Sequence, residues 1–156
     1  PARNSHGTLG VLLSTPMRSP ARVEILPMQA SQAGSTLFSS PQPSDETLIA
    51  TVGTAPSHEL FCHRKQTDQL LLLQGEVDLV VLQDKQLHTI PMRVENACWI
   101  RIPPGIPHGA INRGGSPALM VNAVQRHGEP DARDYRPLPI PISLQQAWIS
   151  LVNGPT

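Results

Sequence analysis

The side chains with the most chemistry in this sequence are His63, Asp68 and His108. His108 follows Pro103-Pro104-Gly105-Ile106-Pro107. Three prolines fix φ and remove backbone donors, so neither a helix nor a central strand can run through that stretch. Gly105 can supply the positive φ that such a reversal needs. Beyond the turn, His108, Ala110 and Asn112 alternate with Gly109 and Ile111, which puts the first three on one face of an outgoing strand. An imidazole delivered by a stiff turn has little freedom, as a metal ligand or a general base requires. The second stretch, His63-Arg64-Lys65-Gln66-Thr67-Asp68-Gln69, is polar and ionisable. It runs into the apolar Leu70 to Leu73, then a turn at Gly75, then a new strand through Leu82.

The rest of the chain has to position these groups. A length of 156 residues suits one domain with a real core. Seventeen prolines and eleven glycines interrupt the chain too often for long helices and favour many short strands. Strands are expected at Arg22–Leu26, Glu46–Val52, His58–His63, Asp68–Gln74, Glu76–Leu82, Gln86–Arg93, Cys98–Ile102, His108–Asn112 and Ala118–Val124. A brief pairing is expected around Thr36-Leu37-Phe38, and Asp84-Lys85 reads as a hairpin turn. Residues 1 to 20 read as a loose arm with one short strand, and His6 as a surface residue. Arg126 to Pro141 is too rich in charge and proline for a central strand. Leu144, Trp148 and Leu151 have helical spacing behind a Ser143 cap, predicting one short C-terminal helix. The organisation expected is an N-terminal arm (1–45), a barrel core (46–125) and a C-terminal extension (126–156).

Composition removes several function classes. The formal net charge is zero and charged residues make up 15%, so nothing calls for nucleic acid or a membrane surface. Aromatic residues are 3%, too few for stacking on bases. The longest apolar run is far too short to cross a bilayer. Two cysteines, Cys62 and Cys98, with no evident secretory segment, suggest a cytoplasmic protein with reduced thiols. Cys62 alternates with His63, so it faces away from any pocket His63 enters.

The two stretches resemble the signature motifs of the cupin superfamily. The second motif reads G-x5-P-x-G-x2-H-x3-N, and the chain has Pro103, Gly105, His108 and Asn112 at that spacing, with Ala97 at the leading glycine. The first reads G-x5-H-x-H-x3 or 4-E-x6-G. Anchored on Gly75, it places Asp68 at the acidic position, His63 at the second histidine and Phe61 at the first. The resemblance implies an all-β cupin double-stranded β-helix, a jelly-roll barrel, with a pocket lined by His63, Asp68, His108 and Asn112. It also implies a homodimer that exchanges the N-terminal arm.

Two chemistries follow from that resemblance. His63, Asp68 and His108 would make a facial site for a divalent metal such as Fe, Mn, Ni or Zn, in an oxygenase or isomerase. Phe61 at a usual ligand position and Lys65 near any cation stand against it. The preferred alternative is metal-free. The pattern from His63 through Thr67-Asp68-Gln69 to Gly75, then Trp99 to His108, is most similar to the branch holding dTDP-4-dehydrorhamnose 3,5-epimerase and deoxysugar ketoisomerases. In that branch a histidine removes a proton beside a ketone and a tyrosine returns one. His63 would then be the base, with His108 binding or polarising a carbohydrate-like ligand. Lys65, Asp68, Arg101 and Asn112 would help hold that ligand, and Arg64, Arg93 and Arg113 could join Lys65 and Arg101 around an anion. The chain departs from the epimerases at Asp68, where they carry a lysine, and at Leu119-Met120-Val121-Asn122, where they carry a tyrosine. Its single tyrosine, Tyr135, lies outside both motifs. A non-catalytic binding module is the remaining alternative.

Overall fold

A computed structural model describes residues 21–154. The arm strand expected before Ala21, and His6, lie outside the described residues. The elements in chain order are β1 (Glu24–Pro27), β2 (Ala30–Ala33), β3 (Thr36–Ser39), β4 (Glu46–Val52), β5 (Glu59–His63), β6 (Gln66–Gln74), β7 (Glu76–Gln83), β8 (Gln86–Arg93), β9 (Cys98–Ile102), β10 (His108–Asn112), β11 (Ala118–Arg126), β12 (Tyr135–Pro139) and the helix α1 (Gln145–Asn153). One sheet has the order β1-β9-β6-β11-β4 and the other β12-β5-β10-β7-β8, while β2 and β3 form a separate hairpin. All pairings are antiparallel.

Strand alternation explains the core. Leu70, Leu72, Val77, Leu79, Val81, Met92, Ile100, Ile102 and Met120 point between the sheets and are buried. Leu71 and Trp99, of opposite parity, pack with Ala123 on the outer side of the first sheet. The tight turn between β7 and β8 puts Asp84 and Lys85 at φ 54° and 60°, as a two-residue hairpin requires. Gly75 is needed twice over. Its φ is +93°, and a Cβ there would lie 2.8 Å from the Cβ of Ala118.

The C-terminal stretch supplies both an edge strand and a lid on the second sheet. β12 pairs with β5, with Tyr135 opposite His63 and Pro137 opposite Phe61. Prolines are tolerated there because β12 is an edge. Trp148 of α1 packs with Leu60, Val80, Ile111 and Ile140, and Leu144 and Leu151 adjoin them. Burying an aromatic ring of this size is worth about 2–3 kcal/mol. Ser143 does not cap the helix as expected. A 3-10 turn over Ile142–Leu144 precedes α1, and no side chain caps either segment.

Candidate active site

The proline turn and the strand carrying His63 are tied together by backbone. The Gly105 N–H donates to the His63 carbonyl at 2.6 Å, and Gly105 sits at φ +82°. His108 pairs with Phe61 across β10 and β5. The two histidines, far apart in sequence, therefore share one end of the barrel, with ring centres 6.4 Å apart. They line an open cavity of about 860 Å³ together with Phe61, Gln66, Asp68, Leu70, Leu79, Met120, Asn122, Arg126, Asp134 and Tyr135.

Asp68 is the hub. Its Oδ1 accepts from the Asn122 amide at 2.9 Å and from the Gln66 amide. Its Oδ2 accepts from His108 Nε2 at 3.1 Å and faces His63 Nε2 at 3.6 Å. Burial pushes the Asp68 carboxyl up, but the hydrogen bonds from His108, Asn122 and Gln66 and the charge of His108 outweigh burial and hold it at about 2. Gln66 is itself oriented, because its Oε1 accepts from Arg126 at 2.6 Å. Its amide nitrogen must then face Asp68.

The tautomers follow from the acceptors. His108 Nδ1 lies 2.8 Å from the Ile106 carbonyl, which can only accept, so Nδ1 carries a proton. Nε2 faces an ionised carboxylate and must donate as well. Both ring nitrogens of His108 thus face acceptors, which fixes the ring against Asp68. His63 differs. Its Nδ1 lies 3.2 Å from Asp134 Oδ2 and donates there. Asp134 is pinned by the backbone N–H groups of Arg64 and Lys65, which donate to its Oδ1 at 3.0 and 2.6 Å. His63 Nε2 makes no hydrogen bond, with the Asp68 carboxylate 3.6 Å away, and borders the cavity.

The structure brings His63, Asp68 and His108 together and leaves three expected ligand residues elsewhere. Asn112 has the right parity but is one step past Ala110, beyond the cavity. Its amide donates to the carbonyls of Val52 and Ser116 and its Oδ1 accepts from the Gly114 N–H, so it fastens a turn. Arg101 alternates with the buried Ile100 and Ile102 and so points outward, to Gln69, Glu24 and Gln42. Lys65 lies exposed in the turn after β5 and does not line the cavity. The basic residues do not gather around an anion, because Arg93 and Arg113 are bound to Asp78. Cys62 faces away from the cavity, both cysteines are free, and burial raises both thiols.

The two histidine rings stand farther apart than a right-angle facial metal site holds them. Two imidazoles at right angles on one ion, with nitrogens about 2.1 Å from it, hold their ring centres roughly 4.5 Å apart. Here the separation is 6.4 Å. Among the described residues no three His, Cys, Asp or Glu side chains are arranged to hold a metal ion.

Asp134, Tyr135 and Asn122 complete the site. Tyr135 stacks on Phe61 with ring centres 5.5 Å apart and meets the His63 ring edge-on at 6.0 Å. No local pattern announces Asp134 or Tyr135. The β12–β5 register brings them to His63, and a sequence shows that register only through pairing across some seventy positions.

The fold has counterparts among solved structures. A dTDP-sugar isomerase from Desulfovibrio desulfuricans superposes with a TM-score of 0.63 at 16% identity, over 85% of this chain and 95% of that one. The barrel is a cupin jelly roll. A sugar 3,4-ketoisomerase from Thermoanaerobacterium thermosaccharolyticum, in complex with TDP-4-keto-6-deoxyglucose, matches at TM-score 0.58 and 14% identity, over 73% of this chain and 86% of that one. A dTDP-4-dehydrorhamnose 3,5-epimerase from Elizabethkingia anophelis matches at 0.58 and 13%, over 79% and 76%. No protein-family model matches the sequence, and no curated protein sequence matches it. The cupin fold expected from the motifs is the fold observed, with the short C-terminal helix as expected. No described helix is long and apolar enough to cross a membrane.

Proposed function

We propose that this cupin binds a carbohydrate-like carbonyl compound and moves a proton on the carbon beside the carbonyl, without redox chemistry. The observation that carries the reading is His63. Its Nδ1 is held by the buried Asp134 carboxylate while Nε2 reaches the cavity surface. A base needs such an orienting partner and must be stabilised once it holds the proton. Here Asp134 flanks one ring nitrogen and Asp68 the other. In the step itself the C–H bond breaks, an N–H bond forms on His63 Nε2, and the electron pair moves onto the carbonyl oxygen as an enolate. Reprotonation by Tyr135, the chain's single phenol, gives the epimer or isomer. Phe61 and Tyr135 together offer an aromatic face to a ring's C–H groups. The sugar isomerases and epimerases with this fold support the same reading.

The test is proton exchange. Hydroxy ketones and keto sugars are incubated with the protein in D2O, and proton NMR follows deuterium entering beside the carbonyl. The expected result is exchange that falls about 10³-fold in His63→Asn. Tyr135→Phe should still exchange the proton but form the epimer about 10²-fold more slowly. If no compound exchanges, the protein is a binding module and the reading fails. If exchange is unchanged in His63→Asn, His63 is not the base.

A further inference from the structure

The charge on the cavity wall is the wrong sign for a nucleotide. The lining carries four carboxylates, Glu59, Asp68, Asp131 and Asp134, against one guanidinium, Arg126, among the described residues. That guanidinium is already occupied. Its Nε and Nη2 donate to Glu46 at 3.2 and 2.7 Å, and its Nη1 donates to Gln66 at 2.6 Å. The His108 ring, the other potential anion partner in the cavity, is already bonded to Asp68. Diphosphates are ordinarily held by free guanidinium or ammonium groups or by unpaired backbone N–H groups.

Much of the remaining wall is apolar. Leu48, Ala50, Leu70, Leu79, Ala110 and Met120 line it. The sequence explains this. These positions fall on the inward parity of β4, β6, β7, β10 and β11, and each is occupied by an apolar side chain. Arg101, which could have supplied a cation on a neighbouring strand, has the outward parity and is bound to Glu24. Lys65, Arg64 and Arg133 lie exposed and outside the lining. Arg133 is engaged with Asp131. Volume does not decide the matter, since about 860 Å³ accommodates either kind of ligand. Charge does. A ligand here must bring few negative charges, an apolar body and one carbonyl to set beside His63.

We propose that the pocket selects an uncharged ring ketone with an apolar body, not the nucleotide-linked sugars named with the proteins of like fold. This rests on the reading of the site as a carbonyl-binding pocket, and it narrows the substrate class.

The experiment compares two probes on the full chain, with the 15N resonances of the histidine rings as the readout. One probe is 2-hydroxycyclohexanone, neutral and cyclic. The other is thymidine diphosphate. The neutral ketone is expected to move the His63 and His108 signals with a Kd at least about tenfold below that of the nucleotide. Raising the salt from about 0.02 to about 0.5 M should strengthen nucleotide binding, because screening weakens repulsion, and should leave the ketone unchanged. The double variant Glu59→Gln with Asp131→Asn should tighten the nucleotide by about tenfold or more and leave the ketone within about twofold. Thymidine diphosphate binding as tightly as the ketone, or weakening with salt as an attracted anion does, overturns the proposal. So does a neutral ketone that leaves both rings unmoved at saturating concentration. A nucleotide-linked keto sugar that exchanges its proton through His63 overturns this proposal alone and leaves the proton-transfer reading standing. A ketone that binds without exchanging does the reverse.

Discussion

Asp68 and Asp78 are both buried carboxylates on consecutive strands, one in each sheet, at 2% and 9% exposure, and they have opposite uses. Asp78 faces out from the second sheet beneath α1. Its oxygens accept from Arg93 at 3.0 Å and Arg113 at 2.7 Å. Arg113 then donates to the carbonyls of Leu151 and Val152 and closes the C-terminal end of the helix. Guanidinium groups do not give up protons at accessible pH, so this cluster is a fastener. Asp68 instead faces two imidazoles, side chains that can both give and take a proton. Burial of a carboxylate therefore says little about function. The proton mobility of its partners says more.

The sharpest test of that distinction is Asp134→Asn. The amide keeps the size of the side chain but can turn its donor toward His63 Nδ1, which selects the tautomer with its proton on Nε2 and removes the base. Exchange beside the carbonyl should fall about 10²-fold, with a smaller change in ligand affinity. Equal loss in both would mean that Asp134 only shapes the pocket. Asp78→Ala should do the opposite. It strands two partly buried guanidinium groups and loosens α1, at a cost of about 2–3 kcal/mol and a Tm lower by roughly 5–10 °C. The exchange rate per folded molecule should stay within about twofold. A large loss of rate with intact stability would make the second cluster part of the chemistry.

These two clusters also mark what a reader of the sequence can and cannot see. The fold was legible because turn chemistry is local. Asp84-Lys85, Gly75 and Pro103 to Pro107 each determine their own reversal, and alternation between them sets the faces. His63, Asp68 and His108 were legible for the same reason, each fixed by its offset from a turn. Asp134 and Tyr135 were not, because an edge strand after a proline-rich stretch has no periodicity that names its partner. Asn112 and Arg101 show the complementary error. Parity gives the face of a strand but not how far along the strand the cavity reaches, and for Arg101 the buried neighbours Ile100 and Ile102 carry the information. Asn122 shares the inward parity of Met120 on β11, and nothing local in the sequence sets it against Asp68.

Acid provides a quieter comparison. The Asp68 carboxyl is held at about 2 instead of 3.8, chiefly by hydrogen bonds from His108, Asn122 and Gln66 acting against burial. A depressed carboxylate contributes its stability above the unfolded value, and that stability is lost as pH falls through the folded value. At about 1.4 kcal/mol per tenfold change in proton affinity, the contribution is about 2 kcal/mol, present above roughly pH 4 and lost toward pH 2. Urea unfolding of the native protein should show that loss between about pH 4.5 and pH 2.5, and Asp68→Asn should lack it. Identical pH profiles would mean that Asp68 is not the hub described.

The smallest expected effect concerns metal. Both histidines hold Nδ1 against an oxygen and turn Nε2 toward Asp68, an orientation that metal-binding histidines also use. The spacing separates the two cases. An ion bound at right angles by both rings would draw their centres roughly 2 Å closer than the observed 6.4 Å, against Phe61, whose ring centre is already 4.4 Å from that of His108. It would also have to displace the proton that His108 Nε2 shares with Asp68. Dialysis against a chelator should therefore leave both the exchange rate and the Tm unchanged within error. A Tm that falls on chelation and recovers with one equivalent of a divalent ion would place Asp68 among metal ligands. The contrast with Asp78 would then rest on a bound cation instead of a mobile proton.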